Sequence, residues 1–261
     1  MSAAPSRDLA MAISFREVTV DYGGGIGVHS VSAEIERGEA VALVGPSGAG
    51  KSSLLRMIHG GLAPTAGSLL VDGKAPTQLG PQALRHLRTR IGIVRQDLGL
   101  VPNMRVSRNV IAGSLGRRSR VDAWRSMLWP GSTELQTVHA LLERLGIGDK
   151  LYHRVDQLSG GEQQRVAIAR ALYQEPRLIL ADEPLSALDP SRSREVLELF
   201  LGVAAERGVT LLLSLHDVAL ARECVPRLIG LRDGQLQFDG AANELQDHDF
   251  EGLYRISGTG A

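Results

Sequence analysis

Cysteine is almost missing from this 261-residue chain, where Cys224 stands alone. No internal disulfide can form, which fits a reducing compartment, and a single thiol beside a helical stretch reads as packing. Excess charge is missing too. Lys+Arg and Asp+Glu both number 29, a balance that argues against a protein gripping nucleic acid through its phosphates. No apolar run approaches the roughly 18 to 20 residues needed to cross a bilayer. Met1 to Leu9 includes Arg7 and Asp8 and lacks the apolar stretch of a secretory signal. The chain is therefore expected to stay in the cytosol and to borrow any membrane role from a partner. Lysine is the last shortage. Only Lys51, Lys74 and Lys150 occur among the 29 basic residues, so the lysine at 51 stands out. With 43% hydrophobic residues, the chain can bury a sizeable core as one large domain or two small ones.

Alternation from Ile13 to Val20 predicts a half-buried strand, and Val31 to Ile35 a second. Ala40 to Val44 is wholly apolar, as suits a buried parallel strand. A Gly-rich turn then opens a helix over Lys51 to His59. Ser68 to Gly73 reads as a hairpin arm, Pro81 opens a short helix, and Ile91 to Val94 is another apolar strand. Between about Asp97 and Gln174 helical patterns take over, notably Glu134 to Leu145 and Glu162 to Tyr173. Strands return at Leu178 to Ala181, Val209 to Leu215, Leu228 to Leu231 and Leu236 to Phe238. Strands interrupted by a helical block predict an α/β domain with a helical insert.

Three segments carry chemistry. Gly45-Pro46-Ser47-Gly48-Ala49-Gly50-Lys51-Ser52 matches G-x-x-x-x-G-K-[ST] in full, after an apolar strand and at the start of a helix. Its glycines let successive N–H groups point at phosphate oxygens beside a helix N-terminus, whose dipole favours negative charge. Lys51 then reaches the β- and γ-phosphates, and the Ser52 hydroxyl binds Mg²⁺. Leu178-Ile-Leu-Ala-Asp182-Glu183 is an apolar strand ending in two carboxylates. Alone, the pair reads equally as favouring the helix start at Pro184. Beside a phosphate loop, Asp182 serves the metal and Glu183 deprotonates the attacking water. Ser159, Gly160, Gly161 and Glu162 open a further helix, as either a simple cap or a second anion-binding terminus.

The order of phosphate loop, Gln96, Leu158-Ser-Gly-Gly-Glu-Gln-Gln, Asp182-Glu183, Ser186-Ala-Leu-Asp189 and His216 resembles the ABC transporter ATPase family, from about Ile13 to Gly240. The resemblance implies a P-loop NTPase core with a mixed sheet, an N-terminal antiparallel β region and an inserted α-helical subdomain. It implies one ATPase domain at about 12–240, with core parts at 12–96 and 176–240, an insert at 97–175 and a C-terminal helical tail at 241–261. It further implies a head-to-tail homodimer with two ATP molecules in its interface, the Ser159 to Glu162 signature of one copy closing on the ATP of the other. Gln96 would sense Mg²⁺ and the γ-phosphate, Asp189 would communicate across the dimer, His216 would position the catalytic glutamate, and Tyr22 would stack on adenine. Blander readings remain: Gln96 as a loop amide, His216 as a strand-end polar residue, Tyr22 as ordinary core. Ser53 stands where the family usually has threonine, and Arg95-Gln96-Asp97 is an unusual setting for the glutamine.

Leu98 to Val101, Asn109 to Arg117 and Ala123 to Met127 resemble the ATP-binding component of phosphonate importers, with phosphite importers nearly alike. That kinship implies integral membrane permease partners, an indirect periplasmic solute-binding protein and a peripheral location on the cytoplasmic face of a bacterial inner membrane. The rival readings are an ABC-type subunit of a phosphonate-degrading complex and a transporter ATPase for another solute. DNA-repair relatives carry long coiled coils that this insert is too short to hold. From Arg85 to Arg125 ten arginines face two acids, Asp97 and Asp122. The stretch reads either as a solvated surface with Trp124 and Trp129 in the small core, or as a face for permease loops or anionic lipid.

Overall fold

Eleven residues of alternating sequence open the fold as β1 (Met11–Asp21), followed by β2 (Ile26–Glu36), β3 (Ala40–Val44), α1 (Lys51–Ile58) and β4 (Ala66–Val71). Next come α2 (Pro81–Arg88), β5 (Ile91–Val94), α3 (Val106–Ala112), α4 (Arg120–Leu128), α5 (Ser132–Arg144) and α6 (Gly160–Tyr173). The chain continues through β6 (Leu178–Asp182), α7 (Pro190–Glu206), β7 (Thr210–Leu215), α8 (Val218–Cys224), β8 (Arg227–Arg232), β9 (Gln235–Ala241) and α9 (Asp247–Tyr254). The structure, a computed structural model, describes residues 11–23, 26–186 and 188–254. The leader reading at Met1 to Leu9, Ala187 of the Ser186 to Asp189 segment, and residues 255–261 of the expected tail lie outside the described residues. No helix among the described residues is long and apolar enough to cross a membrane.

Two compact units divide the chain: one runs to Leu79 and resumes at Leu212, and the other is Gly80–Leu211. In the first, β1 pairs antiparallel with both β2 and β4. The buried face of β1 changes phase, from Ile13 and Phe15 to Val18 and Val20, because a bulge absorbs one residue between them. Glu17 takes φ 50 in that bulge, and the Gly67 backbone of β4 lies against it: a Cβ there would meet the Glu17 carbonyl at 2.2 Å. Gly67 is therefore required by packing. In the same unit β3 pairs parallel with β8, and β8 antiparallel with β9. The Arg227 guanidinium closes this arrangement, donating to both oxygens of Asp239 (2.7 and 2.8 Å) and to Glu39 Oε1 (3.0 Å). Hydrogen bonding to Asp239 raises its pKa above the usual arginine value, against the pull of burial.

In the second unit β5 and β6 pair in parallel, and α6 packs against α3, α5, α7 and β5. Helix α6 is buried on more than one side, with Val166, Ile168 and Leu172 each fully buried. Two side-chain amides, Asn109 buried and Gln174 half-buried, pin the loops around it. Asn109 accepts from Val101 N (2.8 Å) and donates to the Val101 carbonyl (3.1 Å), and Gln174 donates to Arg88, Thr89 and Ile91 carbonyls at 2.8 to 3.1 Å. These bonds give a physical reason for Asn109 in the segment that carries the subfamily resemblance. The reading of Trp124 and Trp129 as core is corrected: they are 69% and 75% exposed. The side of α4 turned inward carries Ser126, so its aromatic side faces solvent.

Candidate nucleotide site

The first unit supplies the phosphate loop. The register of β3 against β8 ends at Val44 beside Gly230, which brings Gly45 against the backbone of Leu231. A Cβ on Gly45, at φ 145, would stand 2.0 Å from the Leu231 carbonyl, and one on Gly50, at φ 101, would stand 2.5 Å from that of Gly27. Both positions thus require glycine for conformation and for space. The loop closes through Ala49 N to Pro46 O at 3.2 Å. Lys51, only 4% exposed, curls over it and donates from Nζ to the Gly45 and Pro46 carbonyls at 2.8 and 2.9 Å. Pro46 is half-buried, and Ser47 and Gly48 on the loop crest and Ser52 in the first turn of α1 are exposed.

Helix α1, like α2, α3 and α5, begins without a side-chain cap. Ser119, Ser159, Asp189 and Asp217 cap α4, α6, α7 and α8 with their own side chains. At α1 the cap position is Gly50, which has no side chain to accept from the first-turn amides, and the first turn holds no acid. Such a terminus, at the positive end of the helix dipole, suits an external anion. Tyr22 is 51% exposed, so it is not ordinary core. Its hydroxyl lies 2.9 Å from Ser53 Oγ, and its ring lies over Gly27, where a Cβ would meet it at 2.3 Å. His216 follows β7 as an exposed residue, immediately before the Asp217 cap of α8.

The second unit holds the carboxylates, the glutamine and the signature. The register of β5 on β6 aligns Val94 with Ala181. Gln96 and the Asp182-Glu183 pair therefore leave the same end of adjacent strands, a juxtaposition that spacing in sequence does not reveal. Glu183 adopts φ 47, a left-handed conformation that costs about 1–2 kcal/mol for a residue with a Cβ. Pro184 disfavours the right-handed alternative at that position. Strain held at a strand end is a mark of functional sites. Sequence reasoning missed Arg170, whose guanidinium donates to the Gly99 carbonyl at 2.6 Å and to that of Leu98. Both carbonyls belong to left-handed residues just past Gln96, so α6 holds the turn that follows the glutamine. The signal for it was an arginine set among the apolar residues Ala167 to Leu172.

Ser159 and Glu162 form a reciprocal cap on α6. Ser159 N donates to Glu162 Oε2 at 2.8 Å, the Ser159 hydroxyl to the same oxygen at 2.9 Å, and Glu162 N to Ser159 Oγ at 3.4 Å. Burial pushes the Glu162 carboxyl up, but these bonds and Lys150 Nζ at 3.4 Å outweigh it and hold the group below its ordinary value. Gly160 and Gly161 would place a Cβ no nearer than 3.7 Å to Leu188, so this chain's own packing does not demand glycine at either. Asp189 caps α7 through Arg192 N (3.1 Å) and accepts from Ser191 Oγ (2.6 Å).

A model of the ABC transporter family matches residues 28–186, more than half of the chain. The phosphonates import ATP-binding protein PhnC of Anaeromyxobacter dehalogenans is 45% identical over 93% of this chain, which spans 48% of that relative's own length. PhnC 3 of Halalkalibacterium halodurans is 41% identical, with 93% of each chain covered. Among solved structures, cbiO1 from Clostridium perfringens, part of the ABC transporter complex cbiONQ, aligns with TM-score 0.79 at 28% identity over 90% of each chain. The cassette MJ0796, as a dimer in a post-hydrolysis state bound to ADP and Pi, aligns with TM-score 0.70 at 31% identity over 89% of this chain and 100% of its own. The α/β fold and the subfamily resemblance read from the helical insert both agree with these relatives. The chain belongs to the ABC transporter family, as one of its ATP-binding, ATP-hydrolysing subunits.

Proposed function

We propose that this subunit drives uptake of a phosphonate or a closely related phosphorus compound, working as a head-to-tail homodimer on integral membrane permease subunits. Its place is then the cytoplasmic face of a bacterial inner membrane, with a periplasmic binding protein delivering solute. The observation that carries the solute class is kinship, since relatives 41–46% identical over 86–94% of this chain bear the phosphonate import name. ATP hydrolysis itself rests on the family and suits the uncapped, glycine-demanding loop under Lys51.

By role, the amides of Gly45 to Ser53 bind phosphate oxygens, and Lys51 turns its ammonium from loop carbonyls to the β- and γ-phosphates. Tyr22 offers its exposed ring to adenine. Ser52, Asp182 and Gln96 would hold a hard cation such as Mg²⁺, for which their oxygen donors are suited. When bound, that ion neutralises charge on the phosphate oxygens. Glu183 takes a proton from the attacking water as the new O–P bond forms and the bond to the ADP oxygen breaks, releasing ADP and phosphate. His216 donates to a γ-phosphate oxygen and holds Glu183 in line. In the partner copy, the Ser159 hydroxyl exchanges Glu162 for the γ-phosphate, and the small surfaces of Gly160 and Gly161 permit close approach. Asp189 passes the state of one site to the other.

The test is growth of a strain lacking its own phosphonate uptake on a phosphonate as sole phosphorus source, with this chain supplied alongside its permease and binding protein. Growth and accumulation of labelled, uncleaved phosphonate are expected with the wild type and lost with Glu183→Gln. Equal accumulation with Glu183→Gln, or growth without accumulation, overturns the proposal.

A further inference from the structure

Helix α4 presents its apolar stripe to solvent. Its inward side carries Ser126, 3% exposed, which accepts a hydrogen bond from Arg118, and the helix packs against α3. Arg108 Nη2 fastens its far end through the Leu128 carbonyl at 3.2 Å. At about 100° per residue, Val121, Trp124 and Leu128 fall within roughly 60° of one another on the outer side. They are 77%, 69% and 44% exposed, and Trp129 just beyond them is 75% exposed. Arg120 and Arg125, both exposed, flank the stripe at about 40° beyond either edge. The one acid of the helix, Asp122, lies outside the stripe and is held by the Ser119 hydroxyl at 2.6 Å.

An apolar stripe with tryptophans, edged on both sides by arginine, matches a layered surface that is apolar within and anionic at its rim. A second copy of the same face would set arginine against arginine. We propose that α4 and Trp129 form a membrane-contact face that seats on anionic phospholipid headgroups, with Trp124 and Trp129 at acyl-chain level and Arg120 and Arg125 on phosphates. This face is separate from the ATP chemistry and holds whichever solute is carried. It lets the subunit find and align on the bilayer without a permease.

Trp124 lies on this face and Trp129 just past the end of α4, so in a Trp129→Phe variant tryptophan emission reports the face alone. The full chain is mixed with phosphatidylcholine vesicles containing about one third phosphatidylglycerol, with and without brominated acyl chains, at low and high salt. A blue shift and quenching by bromine are expected with anionic vesicles, weakening as salt screens the charges. Arg120→Gln with Arg125→Gln should bind roughly 25-fold more weakly, about fivefold per arginine, while ATPase activity in solution stays at the wild-type level. Absence of bromine quenching at low salt, or undiminished binding by the double variant, overturns the proposal. A shift that arises only in neutral vesicles carrying a permease also overturns it, in favour of a protein partner.

Discussion

Lys51, 4% exposed, donates to two carbonyls of its own loop. Those carbonyls hold the ammonium over the loop, within reach of a phosphate bound there. Lys51→Ala should weaken ATP binding on the order of 10²-fold, the equivalent of losing one or two charge-assisted bonds of about 1.5–3 kcal/mol each. Fluorescent-nucleotide titration measures this, and wild-type affinity removes Lys51 from the assigned role. Glu183, held at a left-handed backbone position, is a different case, because its proposed role is to act on the attacking water and not to bind nucleotide. Glu183→Gln should bind ATP as the wild type does yet hydrolyse it at least about 10²-fold more slowly, the usual size of a general-base contribution. Phosphate release in single turnover is the readout, and normal turnover moves the base elsewhere. Both residues were legible in the sequence because their neighbours Gly50 and Pro184 sit beside them in the chain. Arg170 was not, since its importance lies in carbonyls more than seventy residues away.

Among elements, α6 joins structure and chemistry most closely. Its cap is built from Ser159 and Glu162, the residues that the proposed trans contact also needs. The carboxyl of Glu162 is held below its ordinary value in the fold. Its contribution to stability is therefore present above the unfolded pKa and lost as pH falls through the folded one. Thermal melts taken from about pH 6 down to about pH 3 should show a steeper loss for wild type than for Glu162→Gln. Parallel curves would mean the cap contributes no pH-dependent stability. Ser159→Ala, at neutral pH, should cost about 0.5–2 kcal/mol as a lost cap. Ser159→Gly, by contrast, should cost only a few tenths. The capping box was readable as S-x-x-E in the sequence. The engagement of Lys150 with Glu162 was not, because it depends on how the loop before α6 folds back.

For the whole molecule, the balanced charge of 29 basic and 29 acidic residues sets no electrostatic barrier to self-association. In the Glu183→Gln background, light scattering should show monomer without nucleotide and dimer with ATP. A dimer indifferent to ATP would remove nucleotide from the interface. Ser159→Arg should bind nucleotide but fail to hydrolyse it, since a bulky cation replaces the hydroxyl offered to the partner. Mixed with Lys51→Ala subunits, it should recover activity above both parents. One composite site of the mixed pair then collects both lesions and the other none. Full hydrolysis by Ser159→Arg alone would show that the signature segment does not complete the site.

What the sequence determined by itself was everything that a contiguous stretch of backbone dictates. Gly45 to Ser52 must curl because its glycines hold positive φ, Ser159 to Glu162 must cap a helix, and Leu178 to Asp182 must be a buried strand ending in carboxylates. Only the tertiary structure decided what depends on the other side of a contact. Gln96 and Glu183 leave the same end of adjacent strands through the β5–β6 register, Gly67 is needed because β1 bulges onto it, and Tyr22 is half-exposed over Gly27. Trp124 and Trp129 mark the difference most clearly. Helical periodicity fixes that Val121, Trp124 and Leu128 share a face. Which face is covered was set by Ser126 and Arg118, whose hydrogen bond turns the small polar side inward and leaves the aromatic side to the solvent.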